Sequence, residues 1–392
     1  MPTRFAFLVH DSVMLAHYAD VWKAMDPSDF TIVITGDFFS DPHGNEKLGT
    51  QEFLRYAQTE GYEVRTVKAI LSNRIKFRYV ITNHIISADI TLSYIKKQLN
   101  HALILLNRGL RCLNVKLHVP EFRPALTYLP QRIGRKQIRY MYGADISEGW
   151  SLHSWNNIYD VFLCHGVNDE REIKKRFNGK TFIMGYPRYD RFFSGDLDLS
   201  SIRREFGVSE SKKTVLWMPT LGGDYSSIPL FAEALSTISK KYNFIVRPHP
   251  FSFVQEKSFI SLLEKFNFNI DRNAVRDTTE MFGIADVILA DNGGTPFSAI
   301  FLGKNVIFLD VPDDLGPKAV GSFYITGSSV LELKKHLPVI NNQEMKQLMN
   351  MLDSEVFYEE NSKCIETLFK RYFDSPRGGG AKRVADILES LD

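Results

Sequence analysis

Asn243-Phe244-Ile245-Val246-Arg247-Pro248-His249-Pro250 and, further along, Val287-Ile288-Leu289-Ala290-Asp291-Asn292-Gly293-Gly294-Thr295 are the stretches that decide the fold. Each carries a short apolar run into a polar loop, and each loop leads into a helix-like segment. A short apolar run bounded by turn residues reads as a buried strand. Strand, loop and helix in alternation build a parallel sheet, and ligands bind beyond the carboxyl ends of its strands. A glycine pair ahead of a helix start lets backbone N–H groups approach an anion, with the helix dipole adding positive charge. Arg247 offers a bidentate fork for phosphate. Arg247, Asn292, Gly293, Gly294 and Thr295 therefore read as a phosphate cradle for a nucleotide diphosphate. Asp291 fixes the loop or touches a ribose or polyol hydroxyl.

The chain has 392 residues, 44% hydrophobic and 24% charged, as in a globular protein of two α/β domains. No apolar run reaches the roughly 18 residues of a membrane span, and the apolar run near the amino terminus is too short for a signal peptide. Cys112, Cys164 and Cys364 lie far apart, which predicts neither a disulfide framework nor a metal set and fits a reducing cytosol. Net charge is +2 but unevenly placed. Arg108, Arg111, Lys116, Arg123, Arg132, Arg135, Lys136 and Arg139 face a single acid, Glu121, in the same segment. Such a patch suits an anionic membrane or a polyanionic acceptor. No aromatic interleaving of the base-stacking kind is present, so nucleic acid is the least favoured partner.

Two βα alternations follow one another. The first has strands at Phe5–Val9, Phe30–Thr35, Tyr62–Thr66, Tyr79–Thr82, Ile138–Tyr142, Asp160–Cys164 and Thr181–Met184, with helices between them, one at Ile95–Asn107. The second starts at Thr214–Met218 and runs through Val306–Leu309. Two helices follow, Tyr358–Tyr372 and Ala381–Leu391, split by Pro376-Arg377-Gly378-Gly379-Gly380. The reading is an α/β chain of two Rossmann-like domains facing across a cleft, residues 1–192 and 193–392, with the boundary near Phe193–Ser200. Phosphate-type loops occur only in the second half, so the nucleotide belongs there and the acceptor on the first domain. That is the GT-B plan.

Several motifs resemble the CDP-glycerol glycerophosphotransferases of the teichoic-acid polymerase and primase type. Gly185-Tyr186-Pro187-Arg188-Tyr189-Asp190 is similar to that family's Gly-Tyr-Pro-Arg-Asn-Asp. Met218-Pro219-Thr220 resembles its Ala-Pro-Thr strand end, Arg247-Pro248-His249-Pro250 its Arg-x-His-Pro, and Gly380-Ala381-Lys382-Arg383 its Gly-x-Ala-x-x-Arg segment. The resemblance implies a GT-B transferase that primes or extends a surface polymer from a CDP-alcohol, releases CMP and uses a lipid-linked acceptor. It adds Thr220 to the nucleotide site and places Tyr142, Gly143, Gly185, Arg188 and Asp190 at the acceptor side or hinge. Two departures stand out. The family's Trp-His-Gly falls on Met141-Tyr142-Gly143, so its catalytic-base histidine is Tyr142 here. Gly293-Gly294 replaces a serine pair and is similar to the Asp-Ser-Gly-Gly loop of non-hydrolysing UDP-N-acetylglucosamine 2-epimerases, whose acidic residues after the glycines are absent.

Both donor chemistries, attack at phosphorus or at an anomeric carbon, develop negative charge on phosphate oxygens and need cations, oriented N–H donors and one base. His249 is the candidate that hydrogen-bonds or protonates the leaving phosphate. Asp145, His153, His165 and His10 are the first-domain candidates for the base, with Asp145 and His165 foremost in the catalytic set. Arg188 and Asp190 are expected to pair with each other at the interdomain turn, and the Thr295 hydroxyl to cap its helix. No essential metal or cofactor is expected. A nucleotide-sugar glycosyltransferase, an epimerase and a non-catalytic nucleotide-binding relative are the alternatives. The expected place of work is the cytoplasm, peripheral to the inner face of a membrane through Arg108–Arg139.

Overall fold

The computed structural model describes residues 3–36, 38–39, 49–83, 86, 102–103, 106, 128–144, 152–222, 225–273, 276–311 and 330–391. Within them lie two sheets. The first holds β1 (Phe5–Val9), β2 (Phe30–Ile34), β3 (Val64–Thr66), β4 (Phe77–Thr82), β5 (Gly134–Tyr140), β6 (Val161–Cys164) and β7 (Lys180–Ile183). Its order is β3-β2-β1-β4-β5-β6-β7. The second holds β8 (Thr214–Met218), β9 (Asn243–Val246), β10 (Asn269–Ile270), β11 (Val287–Ala290), β12 (Asn305–Leu309) and β13 (Val339–Ile340), in the order β10-β9-β8-β11-β12-β13. The pairings are parallel in both sheets, as in β1 with β2 and β8 with β11. Both sheets therefore reverse their winding at the first strand, which opens a crevice at the carboxyl ends there.

Parallel strands covered by helices on both faces read as unbroken apolar runs. Phe5-Ala6-Phe7-Leu8-Val9 and Thr214-Val215-Leu216-Trp217-Met218 are buried at every position. In the first domain Phe7 meets Tyr18, Trp22 and Phe30 edge-on, at ring-centroid distances of 5.3, 5.8 and 5.6 Å. In the second, Trp217 fills the core and its indole N–H finds the Ser227 hydroxyl at 3.0 Å.

The expected strands are present in both halves, with ends moved by a residue or a few. Six short α-helices, Val67–Ser72, Leu129–Ile133, Asp190–Ser194, Leu199–Glu205, Val330–Leu333 and Met345–Leu352, and the two-residue β13 went unread. Leu199–Glu205 lies where the linker was expected and starts on Asp198, whose carboxylate accepts from the Ser201 N–H. The helix expected over Ser252–Phe266 is two, broken at Glu256, whose carboxylate accepts from Gly222 N–H and the Ser252 hydroxyl. The helix expected at Ile95–Asn107 falls largely outside the described residues, as do Arg108, Arg111, Lys116 and Arg123 of the basic segment.

The tail corrects the domain division. After the long helix Glu355–Tyr372, the chain returns to the first domain, and Gly380–Glu389 packs there. Val384, Ala385 and Leu388 join Tyr18, Trp22 and Phe53 in one core. Asp190 caps this last helix, accepting from Gly380 N–H at 2.9 Å and Ala381 N–H at 2.7 Å. It does not pair with Arg188 as expected. Gly185, at φ 77°, turns the chain beneath Arg383, whose guanidinium donates to the carbonyls of Met184, Pro376 and Gly378. Gly166 meets the returning tail as well: Val167 N–H bonds the Phe373 carbonyl at 2.9 Å. A Cβ on Gly166 would lie 2.3 Å from the Phe373 backbone. Gly166→Ala is therefore expected to force the tail off β6 and cost about 1–3 kcal/mol, the scale of overpacking. The midpoint of urea unfolding checks this; an unmoved midpoint would show that the tail gives way freely.

Candidate functional site

The loops that leave β1, β5, β8, β9 and β11 converge on one cleft of about 900 Å³ between the two domains. That volume is in the range of small-molecule and cofactor sites. The second-domain wall carries Thr220, Arg247, Pro248, His249, Asn292, Gly294 and Thr295, and the first-domain wall His10, His17, Arg139, Tyr142 and Gly143, with Arg188 from the connecting segment.

On the second domain, Asp291 is not in the wall. It is fully buried, and its carboxylate accepts from the N–H groups of Thr220, Ser227 and Asn292. Burial pushes its carboxyl up, against the pull of those bonds. Asp291 thus locks the β8 and β11 loops together, the first of its two expected roles. Gly293 takes φ 75°, a conformation that favours glycine. Gly294 has ordinary helical angles and open space around its Cα, and it is the residue that caps Thr295–Leu302. Thr295 is the first helical residue, not the cap. The exposed backbone at Gly294, set at the helix start, is of the kind that can face an anion.

Arg247 is 3% exposed and committed to a brace. It pairs with Asp271 at 3.0 Å and donates to the carbonyls of Asn273 and Arg276. Arg276 meets the same carboxylate at 3.2 Å. The guanidinium fork expected to clasp phosphate is used to hold the β9 loop. His249 accepts from the Phe251 N–H on Nδ1 at 3.2 Å, which leaves the proton of the neutral ring on Nε2. Burial draws its pKa down to about 4, with Arg247 adding to the pull and Glu256 opposing it. At neutral pH His249 is an uncharged N–H donor in the wall.

On the first domain, Arg188 links the halves. It donates to His17 Nε2 at 3.2 Å and to the Thr278 hydroxyl at 2.9 Å, and lies 3.8 Å from Asp277. His17 is held neutral: burial first, then Arg188, push its pKa well below the usual imidazole value. Its ring meets Tyr142 edge-on at 5.5 Å. Tyr142 also accepts the Tyr186 hydroxyl on its carbonyl at 3.0 Å. His165 is fully buried outside the wall, its Nδ1 and backbone N–H both bonded to Asp169 at 2.9 Å. It is a core histidine that does not line the cleft. His153 also stands outside the wall, and Asp145 lies outside the described residues. Gly185 and Asp190 shape the connection without lining the cleft.

His17, Asp271, Arg276, Asp277 and Thr278 went unread. His17 sits among apolar residues of an amphipathic helix and carries no local signal. Asp277-Thr278-Thr279 does: Asp277 caps the helix that follows, accepting from Thr279 N–H at 3.1 Å.

Two imidazoles kept neutral have a consequence for acid stability. The unfolded chain takes up protons as pH falls through about 6.5, while folded His249 and His17 do not. Their contribution is therefore complete above that value and lost as pH falls toward 4. His17→Gln retains an acceptor for Arg188 and should lose less Tm than the parent between pH 7 and pH 5. Equal losses in thermal melts would show that His17 titrates normally.

Residues 132–389 match the family described as CDP-glycerol:poly(glycerophosphate) glycerophosphotransferase. No curated protein matches the chain in sequence. Among solved structures, the wall teichoic acid polymerase TagF aligns with TM-score 0.58 and 14% identity, over 99% of this chain and 88% of its own. Anabaena Alr3699/HepE, in complex with UDP and glucose, aligns with TM-score 0.53 and 11% identity over 99% of this chain and 100% of its own. UDP-GlcNAc 2-epimerase from Neisseria meningitidis gives 0.54 and 12%, with 99% and 100% covered. These likenesses show the GT-B fold of two facing domains. The family match takes in well over half of the chain and both walls of the cleft from Arg139 onward, and the protein is a transferase that belongs to the CDP-glycerol:poly(glycerophosphate) glycerophosphotransferase family.

Proposed function

We propose that this chain moves a glycerol phosphate unit from CDP-glycerol to a hydroxyl of a phosphate-rich, lipid-linked acceptor, releasing CMP. The observation that carries the reading is the second-domain wall: a neutral His249 N–H donor beside the Gly294–Thr295 helix start, both braced from behind by buried carboxylates. Family membership supports the donor class. The diphosphate lies against this wall, and the acceptor hydroxyl enters from the first domain and attacks the β-phosphorus, giving up its proton to His10, the expected base candidate that lines the cleft. As the bond to CMP breaks, charge grows on the leaving phosphate, where fixed N–H dipoles act without reorganising. His249 donates a hydrogen bond to that oxygen. The reading needs no resident cofactor.

A nucleotide-sugar donor is the second reading, favoured by the open glycine pair at Gly293-Gly294. Nucleotide choice separates them. CDP and CMP should raise Tm more than UDP and UMP, and His249→Ala should lower CMP release by roughly 10²–10⁴ while cytidine nucleotides still bind. A preference for UDP would sink the CDP reading, and near-normal turnover in the variant would remove His249 from the reaction.

We also propose a docking face. Arg132, Arg135 and Lys136 are exposed beside Arg78 and Lys76, at the amino ends of β4 and β5 and so at the edge of the sheet opposite the cleft. Lys136 and Arg78 both stand over the Tyr79 ring, at 5.7 Å. Arg139, counted with them in the sequence, is buried. Among the described residues no helix is long and apolar enough to cross a membrane. The basic edge would hold the chain on the cytoplasmic face of an anionic bilayer, at about 1 kcal/mol per cation, screened by salt. Arg132, Arg135 and Lys136 reversed to Glu should abolish flotation with anionic liposomes at low salt and leave CDP binding intact. Flotation unchanged by the reversal would leave these cations as ordinary solvated charge.

A further inference from the structure

Arg139 closes β5 in the wall of the cleft and is 1% exposed. Its partners are unusual for a buried cation. NH1 donates to Asn156 Oδ1, and the guanidinium lies 4.2 Å from the centre of the Trp155 ring and 5.9 Å from that of Tyr159. Among the described residues its Nε–H has no acceptor. Among the described residues no carboxylate forms an ion pair with it. Three other cleft arginines are compensated: Arg247 and Arg276 share Asp271, and Arg188 lies near Asp277, while the partly exposed Arg191 donates to the Asp196 carbonyl.

A buried, unpaired charge is costly, and buried cations are ordinarily paired. Burial draws the Arg139 pKa down to about 10, which marks the same imbalance. A guanidinium with its face covered by aromatic rings keeps its edge donors for one planar, bidentate partner, and a phosphate fits that fork. The donor diphosphate has its own wall on the other domain, so the group that completes Arg139 comes with the second substrate.

We propose that Arg139, held by Asn156 and stacked on Trp155, is the receptor for a phosphate ester carried by the acceptor. This subsite in the first-domain wall is separate from the donor diphosphate site. It rests on the donor reading above only for the name of the second substrate; the anion site itself can be tested without any donor.

Glycerol 3-phosphate is the soluble probe and glycerol the neutral control. In the intact chain, glycerol 3-phosphate should raise Tm and change the emission of Trp155, and it should do so equally with CDP saturating. Glycerol should do neither. Arg139→Gln should weaken glycerol 3-phosphate binding roughly 10- to 100-fold, the worth of hydrogen bonds to a charged group, with CDP affinity unchanged. Trp155→Phe should remove the fluorescence response and keep the thermal one. Undiminished glycerol 3-phosphate binding in Arg139→Gln overturns the proposal, as does displacement of glycerol 3-phosphate by CDP in the parent chain. Should Arg139→Gln not fold, the parent chain decides, because binding that leaves Trp155 emission unmoved also overturns it. A chain that binds glycerol 3-phosphate through Arg139 but no cytidine nucleotide keeps this subsite and loses the donor reading.

Discussion

One guanidinium sets the cleft. Arg188 leaves the segment that connects the two sheets, donates to His17 in the first domain and to the Thr278 hydroxyl in the second, and stands near Asp277. Each sheet opens a crevice at its own first strand, but two crevices make a site only when they face each other at fixed distance. Arg188 supplies a short bond to either side. The returning tail supplies the rest, with Asp190 holding the last helix against the first domain. The connection is thus tied by charge-assisted bonds, which are shorter and stronger than neutral ones.

The cleft is rich in arginine, and what distinguishes its members is compensation. Asp271 is buried between Arg247 and Arg276 and neutralises a brace that shapes the β9 loop. Such a buried pair adds little net stability but is expensive to break. The positive field in the second-domain wall is therefore fixed in place. Arg139, buried like Arg247, has an amide and an aromatic face where a carboxylate would be expected.

Much of the architecture was legible. Buried parallel strands write themselves as apolar runs, so β1, β8, β9 and β11 were readable from Phe5, Thr214, Asn243 and Val287 onward, and the cleft followed from the loops after them. Site residues were less legible because sequence shows a side chain's chemistry and not its partner. Arg247 and Asp291 were found at their strand ends, yet their charges face Asp271 and backbone N–H groups. His165 has the look of a base and is sealed in the core by Asp169. Arg139 was counted with a surface patch because strand alternation at β5 gives no warning that Asn156 and Trp155 cover it. His17 was invisible because its place at the cleft depends on helix Leu15–Ala24 lying against the connecting segment.

These placements bear on how the site handles charge. His17 and His249 are both held neutral by burial and by neighbouring guanidinium groups. A neutral imidazole adds no charge to a wall already dense in cations. It adds a directed donor or acceptor, fixed by its second nitrogen: His249 through the Phe251 N–H, His17 through Arg188. Phosphoryl chemistry leaves the protein little covalent work and asks for position and field. Here the field comes from arginines locked by carboxylates, the position from imidazoles locked by their neighbours. Of the two arginines buried in the cleft walls, Arg247 has Asp271, and Arg139 has no carboxylate partner among the described residues.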